Sequence, residues 1–337
     1  LPWAGISPRP SIIRNTILLS VFLTCCLIRS AFILKTPFHL IHFGYTIIVS
    51  RLCQLKDLTV GIVPMPENLL FDHTNLLKLK EAREQGRSTV QVSTDLGLRQ
   101  VELDLTALNL DIRQVKKALK KERAIFLYED GRLRQLSVYE DGYYQLVVTG
   151  EAPTLEIDGI QMHRTSLVKP FEDSRQKAES SVRNGDIVLD TCGGLGYTSI
   201  WALRLGAVKV DSCEPNPSVR LLRSLNPWSA EFLDDRIVSH QMTSQEFLQT
   251  ADDDYYDSVL HDPPRFSLAG ELYSGEYYNR LAEVIRPGGR LFHYTGDPYS
   301  KGRPRKFVEG VIRRLSEAGF QCTRREDILG VEAVKSD

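Results

Sequence analysis

Short apolar runs recur in the second half of the chain, and segments rich in polar residues and glycine separate them. Five of these runs predict β-strands, at 187–189, 208–213, 236–240, 258–260 and 290–294. Between the strands the pattern changes to helical spacing, as it does from Thr198 to Gly206. Strands that alternate with helices predict a doubly wound parallel α/β sheet, and such sheets bind ligands at the carboxyl ends of their strands.

The first half has shorter and more varied elements. Helices are predicted at Asn75–Glu84 and Asp111–Lys121, and the second has apolar residues on one face and lysines on the other. Strands are predicted at 90–92 and 98–105, followed by a meander at 124–128, 132–139 and 143–148. These elements predict a small α+β domain over residues 65–153, and the α/β domain then occupies residues 154–337.

Residues 1–64 differ in composition from the rest. Thr16–Ile28 contains 13 residues without charge, whereas an unaided membrane span needs about 20. The first methionine is Met65. We therefore interpret residues 1–64 as an apolar leader or a spurious extension of the reading frame, with a membrane anchor or targeting segment as the alternative.

Overall composition is that of a globular chain with 42% hydrophobic and 25% charged residues. A formal net charge of −1 argues against a protein that coats nucleic acid through bulk electrostatics. The six cysteines have neither the density of a disulfide framework nor the paired spacing of a zinc site. We expect a cytoplasmic protein with no metal site, no DNA partner, and no membrane association unless the leader is real.

A glycine-rich turn follows the 187–189 strand, in the sequence Asp190-Thr-Cys-Gly-Gly-Leu-Gly196. Glycines let a backbone turn tightly and approach a ligand closely. The next strand ends in Glu214, whose carboxylate can accept hydrogen bonds from both ribose hydroxyls of a nucleotide. A dinucleotide fingerprint that begins at Gly194 would need Gly or Ala at Ser199, so the match to that motif is partial.

The strand at 258–260 leads into a second motif, His261-Asp-Pro-Pro-Arg265. The two prolines restrict the backbone and hold Asp262 rigidly at the strand end. Arg265 is suited to bind a carboxylate or phosphate, and its alternative role is a salt bridge to Glu271 or Glu276. The sequence thus predicts an acceptor site beside the nucleotide site.

These ordered motifs, together with the Pro287-Gly-Gly289 turn, resemble those of class I S-adenosylmethionine-dependent methyltransferases. From about residue 154 to the end, the chain also resembles a group of archaeal predicted methyltransferases related to spermidine-synthase-like Rossmann proteins. The sequence segments that show this resemblance are Ala152-Pro-Thr-Leu-Glu156, Met162-His-Arg-Thr165, Leu225-Asn-Pro-Trp228 and the run from His261 to Ser274. The resemblance implies a Rossmann-like fold and S-adenosylmethionine as the cofactor.

The resemblance also implies roles for individual residues. The cofactor would be bound by Asp190, Thr191, Cys192, Gly194, Gly196, Glu214, Pro215 and Thr243. Catalysis would fall to Asp262 of the Asp-Pro-Pro motif, and we add Arg265 on the chemistry of its own side chain. We also expect the acceptor to contact His163, Arg164, Phe266 and Tyr294. Two positions depart from the family pattern: Cys192 replaces a glycine, and Met242-Thr243-Ser244 stands where relatives often carry an adenine-binding Asp.

Several functions are compatible with these motifs. The first is methyl transfer to a nitrogen or oxygen of an unidentified substrate, and the second is methylation of RNA. Uridine C5 methylation is disfavoured, because Phe292-His-Tyr-Thr295 stands where that chemistry needs a Cys nucleophile. Aminopropyl transfer is the third candidate, although Arg265 beside Asp262 has the wrong charge for a polyamine site. A non-enzymatic Rossmann binding module is the fourth.

Overall fold

The computed structural model describes residues 69–296 and 306–336. The predicted leader lies outside these residues. Residues 65–337 cluster as one compact unit.

Residues 69–161 contain nine short strands and two helices. The strands are β1 (Leu69–Phe71), β2 (Thr89–Val92), β3 (Val101–Asp104), β4 (Phe126–Glu129), β5 (Arg132–Gln135), β6 (Ser137–Tyr139), β7 (Tyr143–Val147), β8 (Thr154–Ile157) and β9 (Ile160–Gln161). The helices are α1 (His73–Glu84) and α2 (Ile112–Ala118). Each helix begins after an aspartate, Asp72 or Asp111, whose side chain accepts a hydrogen bond from a backbone N–H of the first turn.

These strands form three sheets, with the orders β1-β4-β5, β2-β3 and β6-β7-β8-β9. The predicted meander is wrong in one respect, because its middle strand, residues 132–139, is divided between two sheets. The division falls at Leu136, whose N–H donates to Ile125 while its carbonyl accepts from the N–H of Leu146. The four-stranded sheet pairs β7 with β8 and therefore contains residues from both sides of position 154.

Residues 162–296 and 306–336 contain a seven-stranded sheet and six α-helices. The strands are β10 (Ile187–Asp190), β11 (Lys209–Cys213), β12 (Ile237–His240), β13 (Tyr256–His261), β14 (Ile285–Tyr294), β15 (Phe320–Arg325) and β16 (Gly330–Lys335). The helices are α3 (Pro170–Ser181), α4 (Tyr197–Arg204), α5 (Pro217–Ser224), α6 (Ser244–Leu248), α7 (Gly275–Val284) and α8 (Lys306–Glu317). Two 3₁₀ helices, Pro227–Leu233 and Gly270–Tyr273, connect them.

The strand order is β12-β11-β10-β13-β14-β16-β15. The first five strands are parallel, and β16 and β15 close the sheet in antiparallel orientation. This confirms the predicted α/β fold class. The predicted strand 290–294 corresponds to the regular part of β14, because residues 286–289 bulge between the paired positions Ile285 and Arg290.

Alternating residues of the central strands belong to two hydrophobic clusters. Val188 and Leu260 pack in one cluster, with side chains of α3, α4 and α5, whereas Leu189 and Val259 pack in the other, with α6, α7 and α8. Helices therefore cover both faces of the sheet. The first cluster also includes Leu155 of β8, so the small four-stranded sheet packs on the same core. None of the helices within residues 69–296 and 306–336 is both long and apolar enough to span a bilayer.

Candidate cofactor and acceptor site

A cavity of about 260 Å³ lies at the carboxyl ends of β10, β11 and β13. One wall is made by the segments that follow these strands, residues 192–195, 214–216 and 262–264. The opposite wall comes from the small sheet and the segment after it, through Tyr144, Leu155, Ile157, Met162 and His163. The position agrees with the rule that open α/β sheets bind ligands beyond the strand ends.

The turn after β10 is held by its own backbone and by the buried Asp190. Asp190 Oδ2 accepts hydrogen bonds from Thr198 Oγ1 at 2.7 Å and Ser199 Oγ at 2.6 Å. Burial raises the pKa of Asp190, while these two hydroxyls oppose the rise. Asp190 thus fixes the first turn of α4 against the strand and lies behind the cavity wall.

Two glycines of this turn adopt left-handed backbone angles, with φ of +47° at Gly194 and +81° at Gly196. A Cβ at Gly196 would come within 2.3 Å of Phe232 Cδ2, so no side chain fits there. A Cβ at Gly194 would meet no atom closer than 3.9 Å. Gly194 lines the cavity, so its bare backbone leaves room for a ligand.

Glu214 connects this turn to the end of β11. Its Oε2 accepts from the N–H of Gly194 at 3.1 Å, and its Oε1 accepts from the N–H of Asn216 at 2.9 Å. Burial raises the pKa of Glu214, and the bond from Asn216 opposes that rise. Each carboxylate oxygen accepts one of these bonds and keeps acceptor capacity toward the cavity, which suits a pair of ribose hydroxyls.

Asp262 stands at the end of β13 and contacts a lysine that the sequence analysis did not identify. Lys177 Nζ of α3 lies 2.6 Å from Asp262 Oδ2 and 2.9 Å from Asp173 Oδ2. The lysine side chain is 1% exposed, and its Nζ lies 4.0 Å from the centre of the Tyr294 ring. Burial alone would lower the pKa of Lys177, but the two carboxylates raise it above its usual value, so Lys177 is positively charged.

A series of charged residues extends from Asp262 away from the cavity. Asp173 is fully buried and also pairs with Arg164, whose guanidinium donates to Gln176 Oε1 at 3.0 Å and to the carbonyl of Asp327 at 3.1 Å. Arg164, Asp173, Lys177 and Asp262 form a row of alternating charges. Asp262 is the member of this row that lines the cavity.

His163 lies in the opposite wall. Its Nδ1 is 3.0 Å from Thr154 Oγ1, and its ring centre is 5.3 Å from that of Tyr197. Burial, together with the positive charge of Lys177, lowers the pKa of His163 to about 4. The imidazole is therefore neutral at physiological pH and can donate or accept one hydrogen bond.

The structure brings Cys192, Gly194, Glu214, Pro215, Asp262 and His163 together around the cavity. Asp190, Thr191 and Gly196 shape the turn from behind it. Thr191 Oγ1 contacts His261 Nδ1 at 2.7 Å and donates to the carbonyl of Leu260 at 3.2 Å.

The other predicted site residues lie elsewhere. Thr243 is the N-cap of α6, where it forms a capping box with Glu246. Phe266 is 46% exposed and packs on Tyr273 and Phe307. Arg164 belongs to the charged row through Asp173, the ring of Tyr294 contacts Lys177, and neither residue lines the cavity.

Arg265 is exposed and lies on a separate shallow groove, with Arg123 and Glu156 among its neighbours. Within residues 69–296 and 306–336, Arg265 has no ion pair with Glu271, Glu276 or any other carboxylate. The salt-bridge alternative is therefore wrong for this part of the chain. Its charge remains available to a ligand, and the preceding residue, Pro264, lines the cavity.

Sequence reasoning missed Lys177 and Tyr144. Asp173 and Lys177 are four residues apart in a segment with helical spacing, which places them on one helix face. That spacing is equally typical of a solvent-exposed pair, so the burial could not be inferred from it. The hydroxyl of Tyr144 accepts from Asn216 Nδ2 at 2.8 Å, a contact between the small sheet and the start of α5.

No family model matches the chain. The uncharacterised protein MJ1233 of Methanocaldococcus jannaschii is 45% identical over 223 residues, which are 66% of this chain and 77% of that protein. A crystal structure of spermidine synthase with the transition-state analogue AdoDATO matches with a TM-score of 0.50 at 17% identity and covers 84% of each chain. The M. jannaschii tRNA m1G37 methyltransferase matches with a TM-score of 0.39 at 17% identity, over 61% of this chain and 60% of that one. The likeness to spermidine synthase shows a shared fold. The likeness to the tRNA methyltransferase is too weak to support an inference.

Proposed function

The chain belongs to the family of the uncharacterised protein MJ1233, and from its site we propose that it transfers a methyl group from S-adenosylmethionine to a nitrogen or oxygen of an acceptor. The observation that carries this proposal is a pair of cavity-lining carboxylates, Glu214 and Asp262, on either side of the glycine turn. The order β11-β10-β13 puts the turn between them. Two strand spacings separate the carboxylates by ~10 Å, the length of a nucleoside.

The chemistry of these groups fits the cofactor. Glu214 would accept hydrogen bonds from the two ribose hydroxyls. The turn from Cys192 to Leu195 lines the cavity with its backbone, and Gly194 has no Cβ that would take up space there. Tyr144 and Val219 would pack near the base, because they line the cavity on the side of Pro215 and Asn216. The bound cofactor supplies an electrophilic methyl group on a sulfonium sulfur.

Asp262 would act on the acceptor. Pro263 and Pro264 restrict its backbone, and Lys177 holds Oδ2, so Oδ1 can accept a hydrogen bond from an acceptor N–H or O–H. The nucleophile is then held in line with the transferred carbon, and such positioning supplies much of the rate acceleration. Asp262 or water takes the proton that the acceptor loses.

Aminopropyl transfer is a second candidate, because the fold is shared with spermidine synthase. The charge balance favours methyl transfer. Asp262 is compensated by Lys177, and Asp173 by Arg164, so the described residues offer little free negative charge to a polyamine at this end of the cavity.

Labelled cofactors separate the two reactions. We would incubate the protein with co-purifying small molecules and RNA, supply methyl-deuterated S-adenosylmethionine, and identify the product by mass spectrometry. A deuterated methyl group on a nitrogen or oxygen supports the proposal. An aminopropyl adduct that forms only with decarboxylated S-adenosylmethionine would replace it with the second candidate.

A further inference from the structure

Lys177 is a buried cation next to the proposed acceptor site. It belongs to α3, which precedes the sheet, yet its ammonium reaches the tip of β13 and contacts Asp262. Burial of a lysine is costly unless carboxylates compensate it. We therefore expect the charge of this nearly inaccessible lysine to act on the carboxylates that it contacts.

The row of charges shows which carboxylate depends on this lysine. Asp173 has a second cation, Arg164, within ion-pairing distance. Asp262 pairs with Lys177 alone among the described residues, through Oδ2. Its other oxygen, Oδ1, makes no hydrogen bond within residues 69–296 and 306–336 and belongs to a side chain that lines the cavity.

We propose that Lys177 is a positioning residue, which holds Asp262 as an ionised carboxylate with one oxygen fixed and the other presented to the acceptor. This inference rests on the proposed function, since it concerns the same cavity. It narrows the acceptor to a group whose reacting nitrogen or oxygen carries a lone pair and also donates a hydrogen bond to Asp262. A carboxylate acceptor would be repelled.

The surroundings of Asp262 make the lysine necessary. The titratable groups that act on it are Lys177 and Asp173 of α3, Asp190 of β10, Cys192 of the turn and Tyr294 of β14. Before α3, His163 lines the same cavity and Arg164 pairs with Asp173. Burial raises the pKa of Asp262, and Asp173 and Asp190 add to the rise, whereas Lys177 opposes it. Without Lys177, the pKa of Asp262 would rise further, and its Oδ2 would lose its hydrogen-bond partner.

Two cofactor analogues test the inference without a known acceptor. S-adenosylhomocysteine has no transferable group, whereas sinefungin carries an amino group in its place. If Asp262 is ionised and lies in the path of the transferred group, the wild-type protein should bind sinefungin about tenfold more tightly than S-adenosylhomocysteine. The difference comes from one charge-assisted hydrogen bond between the amino group and Asp262. Calorimetric titrations from about pH 5 to pH 8 would measure the ratio of the two dissociation constants.

Lys177→Met should lower this ratio at neutral pH and move its pH dependence to higher pH than in wild type, with little change in S-adenosylhomocysteine affinity. A purely structural role would weaken both ligands equally and leave the pH profile unchanged. Asp262→Asn should abolish the preference at every pH. Lys209→Met is the matched control, because Lys209 also pairs with a carboxylate, Asp211 at 2.9 Å, at the opposite end of β11.

The outcomes distinguish a failure of this inference from a failure of the proposed function. If both analogues bind and Lys177→Met keeps the wild-type preference and pH profile, the inference is wrong and the proposed function stands. If neither analogue binds wild type, the proposed function itself fails. Should Lys177→Met not fold, Lys177→Gln makes the same test, because it also lacks the charge.

Discussion

At the scale of single residues, the two carboxylates of the site are held by different partners. Backbone N–H groups hold Glu214, and the ammonium of Lys177 holds Asp262. Backbone donors fix the direction of a carboxylate without neutralising its charge. Glu214 is thereby suited to a neutral ribose, and Asp262 to a group that exchanges a proton.

Glu214→Ala removes both proposed ribose contacts. We expect S-adenosylmethionine to bind about 1–3 kcal/mol more weakly, which is the range for lost hydrogen bonds to a charged group. Calorimetry measures the change directly. Glu231→Ala, which removes an exposed carboxylate paired with Arg204, should leave the affinity unchanged.

Asp262→Asn keeps the shape of the side chain but removes its ability to take a proton. We expect turnover to fall by at least about 100-fold, as for loss of a general base, while S-adenosylmethionine affinity stays near that of wild type. Loss of cofactor affinity in proportion to activity would assign Asp262 to the cofactor instead.

Arg265→Lys replaces a two-pronged donor with a point charge outside the cavity. If the acceptor has an anionic group that reaches this groove, the apparent KM should rise with little change in kcat. Steady-state kinetics of the variant would separate the two parameters. An unchanged KM would mean that Arg265 is not part of the acceptor site.

Asp190, Glu214 and Asp262 could be predicted from the sequence because each follows a strand, and parallel strands bring their carboxyl ends to one edge. Lys177, Tyr144 and the capping role of Thr243 could not. Their positions depend on how α3, the small sheet and α6 pack on the main sheet, which local spacing does not encode.

At the scale of elements, the turn between β10 and α4 has a strict geometric requirement at Gly196. Gly196→Ala would combine an unfavourable φ of +81° with a Cβ at 2.3 Å from Phe232. We expect a loss of about 1–3 kcal/mol in the free energy of unfolding and weaker cofactor binding. Gly275→Ala is the control, because its added Cβ would meet no atom within 4 Å. Equal stability of the two variants in urea unfolding would contradict this account of the turn.

The buried parallel strands were predictable because their apolar runs have the length and flanking turns of sheet strands. The division at Leu136 and the bulge at residues 286–289 depend on pairing with distant strands. Both irregularities therefore escape prediction from local patterns.

At the scale of the whole molecule, two histidines with lowered pKa values, the half-buried His163 and the buried His261, make folding sensitive to acid. Burial lowers the pKa values of His163 and His261 to about 4, from a reference of 6.5. The unfolded chain then binds protons more readily, so stability is full above about pH 6.5 and declines as the pH falls toward 4.

Urea unfolding at about pH 7 and pH 5 should therefore show a lower free energy of unfolding at the acidic pH. His261→Gln should show a smaller difference between the two conditions, because one buried titrating group is removed. An identical difference in wild type and variant would contradict the assigned burial effect.

The central claim is that the cavity at the ends of β10, β11 and β13 is a site for S-adenosylmethionine. The most direct measurement is a calorimetric titration of the wild-type protein with S-adenosylhomocysteine and, separately, with NAD. We predict that S-adenosylhomocysteine binds with one site per chain and that NAD does not bind. Binding of NAD with no binding of S-adenosylhomocysteine would contradict the claim.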